Sequence, residues 1–218
     1  MTLPATPITN EPTFRKYPET DPAETRTIPD PSSTFYFVRH GATEPNLSGV
    51  RCGGDLDLAL SGLGREQARA TGEQLLAMKI DLGLIVCSSL RRTRQHAEIV
   101  SEVLGGVPII TDPLLDERHM GEWNLRSVDA TEVLLKQGMA PPGGESEQQF
   151  VARITAAFER FPMLLPLNPL IVSSKAVARV LNLLLGGKGR LTLGNGEMVQ
   201  FTMQPLASLT ANDRRTTK

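Results

Sequence analysis

Short apolar segments alternate with helical patterns along most of this chain. The segments with a strand-like composition, rich in Val, Ile, Leu and Phe, are 34–38, 83–87, 107–110, 169–173 and 198–203. The segments with helical patterns are 61–79, 89–104, 146–161 and 175–185. Continuous apolar strands are typical of parallel sheets that are buried on both faces. The alternation therefore predicts an α/β, three-layer fold with a mainly parallel central sheet and helices on both faces.

The predicted helices carry chemical start and stop signals. Ser61, Ser89 and Ser146 precede helical patterns, and a serine hydroxyl can accept a hydrogen bond from the free N–H groups of a first turn. Glu147 adds a negative charge that favours the positive end of its helix dipole. Pro162 lacks a backbone donor, so we expect the third helical pattern to end there.

The chain has 218 residues and is predicted to form one domain at 34–205. Residues 1–33 contain seven prolines mixed with Thr, Glu and Asp. Such a segment buries too little apolar surface to offset the entropy of ordering, so we expect a disordered N-terminal extension. Residues 206–218 are expected to form a polar tail.

The charge balance excludes several classes of partner. Lys and Arg number 23 against 24 Asp and Glu, so no basic field predicts binding to nucleic acid or to a membrane surface.

No stretch approaches the roughly 18 uninterrupted apolar residues of a membrane span. Cys52 and Cys87 form neither a disulfide framework nor a metal-ligand pattern. We expect a cytoplasmic protein, monomeric or homodimeric, that acts on a small molecule.

The first apolar run breaks directly into charged and polar residues, in the sequence TFYFVRHGATEPN. Arg39 offers a planar guanidinium that can hold two phosphate oxygens at once. His40 could act as a base, a ligand or a nucleophile toward phosphorus. Gly41 lets the backbone turn and approach a ligand closely, and Asn46 adds a neutral donor. Because ligands of parallel sheets bind beyond the carboxyl ends of the strands, these residues predict a phosphate site.

Two later segments add candidates for the same site. The segment CSSLRRTRQHAEIV places Arg91, Arg92 and Arg94 at a helix start, where free N–H groups and the helix dipole favour anions. The alternative interpretation is a solvated basic helix face. The segment LLDERHMGEWN places Glu117 shortly before the only tryptophan. A carboxyl group in a partly apolar setting can have a raised pKa and serve as a general acid.

Four blocks, in the same order, resemble the histidine phosphatase superfamily with its phosphoglycerate-mutase-like fold. VRHGATEPN matches the family's Arg-His-Gly-x-Thr-x-x-Asn signature, and SSLRRTRQHA is similar to its Ser-Pro-Leu-x-Arg-Ala-x-Gln-Thr-Ala block. LDERHMGEW resembles the segment that bears the proton-donating Glu, and GGES matches the Gly-Glu-Ser turn before the next helix. The resemblance covers residues 34–203, and the short segment 118–144 is similar to short-cap members.

The resemblance implies a small phosphorylated substrate and a covalent mechanism. His40 would attack phosphorus to form a phosphohistidine, and Arg39 and Arg92 would neutralise the phosphoryl oxygens. Glu117 would protonate the leaving group. No metal and no cofactor is implied, since the arginines take the role that a cation plays in other phosphoryl-transfer sites.

The sequence departs from the family at its second catalytic histidine. LIVSSKAVARVL fits the family's strand and helix, but Ser174 stands in the position of that His and Lys175 in that of the following Gly. Losing one such donor typically costs about 3 kcal/mol of transition-state stabilisation. Ser174 keeps a neutral donor, Lys175 could restore a positive charge, and His119 could lie at the pocket rim.

His96 falls where the family has Thr. The residues expected to bind the substrate are Arg39, Gly41, Asn46, Arg92 and Ser174.

Three functions are compatible with these residues. The leading prediction is a metal-independent phosphomonoester hydrolase of reduced activity, in which Ser174, Lys175 or His119 compensates for the missing His. The second is a pseudophosphatase that keeps His40 and the arginines and binds a phosphorylated ligand. The third is a mutase, which calls for a larger lid than the 27 residues of the segment 118–144 provide.

Overall fold

The computed structural model describes residues 33–203, which contain one five-stranded sheet. The strands are β1 (Ser33–Arg39), β2 (Ile85–Cys87), β3 (Ile109–Thr111), β4 (Leu170–Ser173) and β5 (Met198–Met203). Their order across the sheet is β3-β2-β4-β1-β5. The first four strands pair in parallel, whereas β5 pairs antiparallel with β1. The five predicted strands and the mainly parallel sheet are confirmed, with β5 as the antiparallel exception.

The parallel register brings the carboxyl ends of β1 and β4 to the same edge of the sheet. Arg39, the last residue of β1, lies opposite Ser173, the last residue of β4. The backbone N–H of His40 donates to the carbonyl of Ser173 at 2.9 Å. The residues that follow these two strands are therefore neighbours, although they are far apart in the sequence.

Helices connect the strands and cover both faces of the sheet. The α-helices are α1 (Glu44–Leu47), α2 (Gly62–Ala77), α3 (Arg91–Val103), α4 (Val128–Lys136), α5 (Glu147–Glu159) and α6 (Lys175–Leu184). Short 3₁₀ segments lie at Pro113–Leu115, Gly121–Trp123 and Phe161–Leu167. The predicted helices correspond to α2, α3, α5 and α6. Helix α1 is a single turn after the Arg-His-Gly sequence, too short to show a helical period.

Two of the three predicted caps are confirmed. Ser61 accepts from the N–H of Gly64, and Ser146 accepts from the N–H of Gln149, which reciprocates in a capping box. The prediction for Ser89 is wrong, because α3 begins at Arg91 and Leu90 holds the N-cap position.

The hydroxyl of Ser89 is instead used by a distant segment. It donates to Oδ2 of Asp116 at 2.6 Å. The N–H of Arg91, at the start of α3, donates to Oδ1 of Asp57. Carboxylates from two loops thus serve this helix end, in a way that the local sequence does not show.

Two apolar cores flank the sheet, one on each face. Phe35 and Phe37 of β1 pack into the first core, with residues of α5 and α6. Val38 packs into the second core, with residues of α2 and α3. Within the first core the ring of Phe35 lies 4.8 Å from that of Phe161. Burial on both faces explains why the strands are continuously apolar, and the predicted three-layer arrangement is confirmed.

The predicted N-terminal extension and polar tail lie outside the described residues, apart from Ser33. Within 33–203, no helix combines the length and the apolar character that crossing a membrane requires.

Two glycines allow α2 to approach the turn after β1. A Cβ atom on Gly41 would lie 2.1 Å from the carbonyl oxygen of Gly64, and one on Gly64 would lie 2.1 Å from that of Ala42. Ser61 strengthens this contact, because its hydroxyl also donates to the Ala42 carbonyl at 3.0 Å. The first turn of α2 therefore supports the turn that carries His40.

We expect Gly64→Ala to destabilise the protein by about 1–3 kcal/mol, because the added methyl group overlaps the backbone of Ala42. This penalty should exceed the gain of about 1 kcal/mol that alanine brings within a helix. Gly62→Ala is the matched control, since a Cβ atom at Gly62 meets nothing within 4 Å. Urea unfolding of both variants checks the prediction, and equal stabilities would contradict the close approach.

Candidate active site

His40 is held as a neutral imidazole at the end of β1. Its Nδ1 lies 2.7 Å from the carbonyl oxygen of Gly41. Because a carbonyl only accepts, the ring proton is on Nδ1 and the lone pair is on Nε2. Burial lowers the pKa of His40 well below its usual value, and the positive charge of Arg92 adds to this effect. The ring therefore presents an unprotonated nitrogen, as a nucleophile requires.

Two guanidinium groups flank this imidazole. Arg92, in the first turn of α3, is only 1% exposed and donates to the carbonyls of Leu56 at 2.7 Å and Gly53 at 3.3 Å. Arg39 donates to the carbonyl of Leu193 at 2.8 Å, and its buried Nε–H has no partner among the described residues. These partners are carbonyls, which orient a guanidinium without cancelling its charge. The position suits an anion.

Asn46 faces the same cavity with its amide oriented by the protein. Its Oδ1 accepts from the N–H and the hydroxyl of Thr43, both at 3.1 Å. Nδ2 of Asn195 also donates to this oxygen, at 3.3 Å. With Oδ1 occupied in this way, the Nδ2 group of Asn46 remains available as a donor.

Glu117 lines the cavity from the loop between two 3₁₀ segments. Its Oε1 accepts from the N–H of Arg118 at 2.7 Å. Arg153 holds the backbone of this loop by donating to the carbonyls of Leu114 and Asp116. Glu117 is therefore presented by a backbone that a second arginine fixes from behind.

The Gly-Glu-Ser turn completes this support. Both carboxylate oxygens of Glu145 accept from Arg153, at 2.8 and 2.7 Å, and one also accepts from the N–H of His119. Burial alone would raise the pKa of Glu145, but these hydrogen bonds outweigh it and lower the pKa. The turn that the sequence marks as a family feature thus positions the Glu117 loop.

The cavity has a volume of about 820 Å³ and gathers most of the predicted site residues. The predicted residues that line it are Arg39, His40, Asn46, Arg92 and Glu117, together with Lys175. Three other residues named in the sequence analysis are not among the described residues that line the cavity, namely Gly41, Ser174 and His119. Gly41 makes room for α2 instead, and its contact with a ligand stays a prediction.

Ser174 is placed at the N-cap of α6, yet its side chain caps nothing. It is 1% exposed, and its buried hydroxyl has no partner within residues 33–203. The next residue, Lys175, reaches the cavity and is half-buried. Burial and repulsion from Arg179 and Arg39 lower the pKa of Lys175.

The His119 ring is held at the surface by a hydrogen bond with Asp55. Its Nδ1 lies 2.9 Å from Oδ1 of Asp55, and its side chain is 40% exposed. Asp55 also accepts from the N–H groups of Met120 and Gly121. Nothing in this geometry brings the His119 ring toward His40.

His96 also lies next to the site, although the sequence predicts no role for it. It is fully buried, and its Nδ1 accepts from the N–H of Gly41 at 3.1 Å. Burial lowers the pKa of His96 to about 3, so the ring is neutral. A signal was present, since Arg92 and His96 are four residues apart on α3 and share one helix face.

No group of three or more His, Cys, Asp or Glu side chains within the described part of the chain could hold a metal ion. Arg92 and Arg39 supply the positive charge that acts on His40.

Known proteins resemble this chain in sequence. The family model described as histidine phosphatase superfamily (branch 1) matches residues 35–211. A probable phosphoglycerate mutase, GpmB, of Photorhabdus laumondii is 34% identical over 185 residues, which is 78% of this chain and 84% of that protein. A glucosyl-3-phosphoglycerate phosphatase of Mycolicibacterium vanbaalenii is 46% identical over 87 residues, which is 40% of this chain and 37% of that protein.

Solved structures share the architecture. A mycobacterial glucosyl-3-phosphoglycerate phosphatase, solved in complex with VO3, has a TM-score of 0.65 and 29% identity, and the match covers 77% of this chain and 90% of that one. An alpha-ribazole phosphatase from Shigella flexneri has a TM-score of 0.67 and 24% identity, covering 79% and 94%. At 24% identity, the similarity to the Shigella flexneri protein shows a shared fold only.

We expect the free energy of unfolding to fall as the pH drops below about 6.5. In that range the unfolded chain takes up a proton at His96, whereas the folded protein, with a pKa of about 3 there, does not. Protonation thus favours unfolding, by about 1.4 kcal/mol per pH unit for one such group.

His96→Asn isolates this contribution, because Asn keeps an acceptor for the N–H of Gly41 and does not titrate. Urea unfolding of both proteins across this pH range should give a shallower slope for the variant. Parallel slopes would mean that His96 is not held neutral in the folded state.

Proposed function

The chain belongs to the histidine phosphatase superfamily, branch 1, and we propose that it hydrolyses small phosphomonoesters through a phosphohistidine on His40. The observation that carries the proposal is a neutral imidazole beside two guanidinium groups whose hydrogen-bond partners are carbonyls. The charges of Arg39 and Arg92 are oriented but not cancelled. A phosphate dianion is the ligand that such a site favours.

In the first step Nε2 of His40 attacks phosphorus, and the bond from phosphorus to the ester oxygen breaks. Positive charge develops on the ring as the N–P bond forms, and the Gly41 carbonyl stabilises it through the proton on Nδ1. Arg39 and Arg92 bind the non-bridging oxygens, over which the transition-state charge is spread. Asn46 donates a further hydrogen bond to the phosphoryl group.

Glu117 transfers the protons in both steps. Its carboxyl group protonates the departing alkoxide, which leaves as the alcohol. The resulting carboxylate then takes a proton from a water molecule that attacks the phosphohistidine. The P–N bond breaks, inorganic phosphate leaves, and His40 and Glu117 return to their initial states.

We propose that Lys175, rather than Ser174 or His119, replaces the family's second His. Lys175 lines the cavity, whereas Ser174 is buried and His119 is bound to Asp55. A lysine is a point charge on a flexible stem and does not reproduce a fixed ring donor. The hydrolase is therefore proposed to work with reduced efficiency.

The burial of Ser174 also favours a second candidate, a pseudophosphatase that binds a phosphorylated ligand. In this candidate the pocket of Arg39, His40 and Arg92 remains able to bind an anion, while the position of the second His offers no donor to the transition state. The two candidates share the pocket and differ in turnover.

The test compares hydrolysis of p-nitrophenyl phosphate and a panel of phosphomonoesters by four proteins. We expect measurable turnover in the wild type and none in His40→Ala. Lys175→Gln should be slower than wild type, because a positive charge is lost next to the phosphoryl group. Ser174→His should be faster, by up to about a hundredfold, if the new ring reaches the phosphoryl oxygens.

Binding of inorganic phosphate and vanadate, measured by thermal shift, separates the two candidates. Binding without wild-type turnover, together with activity gained in Ser174→His, would favour the pseudophosphatase. Turnover that survives in His40→Ala would contradict the phosphohistidine.

A further inference from the structure

The segment that precedes β5 makes several contacts with the end of β1. The N–H of Gly196 donates to the carbonyl of Arg39 at 2.9 Å, and the N–H of Arg39 donates to the carbonyl of Glu197 at 3.1 Å. The side chain of Arg39 donates to the carbonyl of Leu193 at 2.8 Å. The antiparallel pairing of β5 with β1 thus places residues 193–197 next to the phosphate site.

This segment contains a β-turn that the protein closes in two ways. The N–H of Glu197 donates to the carbonyl of Gly194 at 3.2 Å. The side chain of Glu197 in turn accepts from the N–H of Gly194 at 2.6 Å. Gly196 has a φ of 77°, which the third position of a type II turn requires. Asn195 therefore occupies a fixed corner beside the site.

The side chain of Asn195 joins two residues of the site. Its Nδ2 donates to the carbonyl of His40 at 3.0 Å and to Oδ1 of Asn46 at 3.3 Å. An amide nitrogen carries two protons, so both donors of the group are used. One side chain thus connects the backbone of the proposed nucleophile with the proposed phosphoryl donor.

Asn46 lies on a single helical turn that apolar packing does not hold. None of the four residues of α1 (Glu44–Leu47) is buried. Two donors to Oδ1 of Asn46 come from Thr43, at the start of the same turn. The contact from Asn195 comes instead from across the site. It therefore sets the position of Asn46 relative to the rest of the pocket.

His40 depends less on this contact. Its N–H donates to the carbonyl of Ser173 at 2.9 Å, and its Nδ1 is held by the carbonyl of Gly41 at 2.7 Å. His40 is also buried. Loss of the Asn195 amide should therefore release Asn46 and leave the imidazole in place.

We propose that Asn195 is a positioning residue, which holds the amide of Asn46 in the orientation that binds the phosphoryl group. The inference rests on the proposed function, in which Asn46 donates to that group. With Oδ1 held by Asn195 and Thr43, the amide cannot turn over. Its Nδ2 remains the group offered to the cavity that Asn46 lines.

The test is a double-mutant cycle on the binding of inorganic phosphate, measured by isothermal titration. Asn195→Ala should weaken phosphate affinity about tenfold in the wild-type background, because two hydrogen bonds are lost. In the Asn46→Ala background the same change should cost less than about twofold, since the two residues act through one contact. Phosphate binding is measured whether or not the protein turns over.

Asn182→Ala is the matched control. It removes another amide that donates to a backbone carbonyl, that of Gly189 at 3.3 Å, from a residue that is not among the described residues of the cavity lining. Its phosphate affinity should equal that of the wild type. Urea unfolding shows which variants fold. Asn195→Ser, which suits a turn and is too short to join both acceptors, replaces Asn195→Ala if the latter does not fold.

Turnover of p-nitrophenyl phosphate provides a second readout. Asn195→Ala should raise KM about tenfold and change kcat by less than about threefold, because the lost contact acts on the bound phosphoryl group before and during the reaction. A fall in kcat at unchanged KM would contradict a role through Asn46, since it would mean that the nucleophile had moved.

The outcomes separate this inference from the proposed function. Equal weakening of phosphate binding in both backgrounds, or no weakening, would overturn the role of Asn195 even if p-nitrophenyl phosphate is hydrolysed. A coupled loss of affinity without wild-type turnover would support the positioning role and remove the hydrolase. A wild type that does not bind phosphate would overturn both.

Discussion

This site depends on a buried guanidinium, that of Arg92, which keeps its positive charge next to the neutral imidazole of His40. Arg92 is almost completely buried, and its partners are the carbonyls of Leu56 and Gly53. Removing a guanidinium from water is costly unless its donors are satisfied. Carbonyls satisfy the donors and leave the charge in place. That charge helps to keep His40 unprotonated, so one arrangement both favours an anion and leaves the lone pair of the imidazole available.

The fold supplies this arrangement by bringing three chain segments to one edge of the sheet. Parallel pairing places the ends of β1 and β4 together, and α3 presents Arg92 from its first turn. Gly41 and Gly64 permit the backbone contact that supports the turn from one side. His96 accepts the N–H of Gly41 from the other side. The position of His40 is thus the product of contacts with several elements, and no single motif determines it.

The strands, four helices and the cavity positions of Arg39, His40 and Arg92 follow from local sequence, since strand composition and the order of the blocks are properties of short segments. The features that escape prediction depend on distant partners. The sequence predicts Ser89 as a helix cap, but its hydroxyl donates to Asp116, 27 positions away. The sequence predicts Ser174 as a donor in the pocket, but packing at the start of α6 buries its side chain. The pairing of His96 with Gly41 spans 55 positions, and only the shared helix face with Arg92 hints at it.

The central claim is that His40 carries the phosphoryl group, and the direct measurement is to trap that intermediate. The protein, and a Glu117→Gln variant in which breakdown is slowed, would be mixed with p-nitrophenyl phosphate and denatured at alkaline pH. Peptide mass spectrometry should then find one phosphoryl group on the peptide containing His40, and mild acid should remove it. Turnover with this peptide unmodified in both proteins would contradict the account.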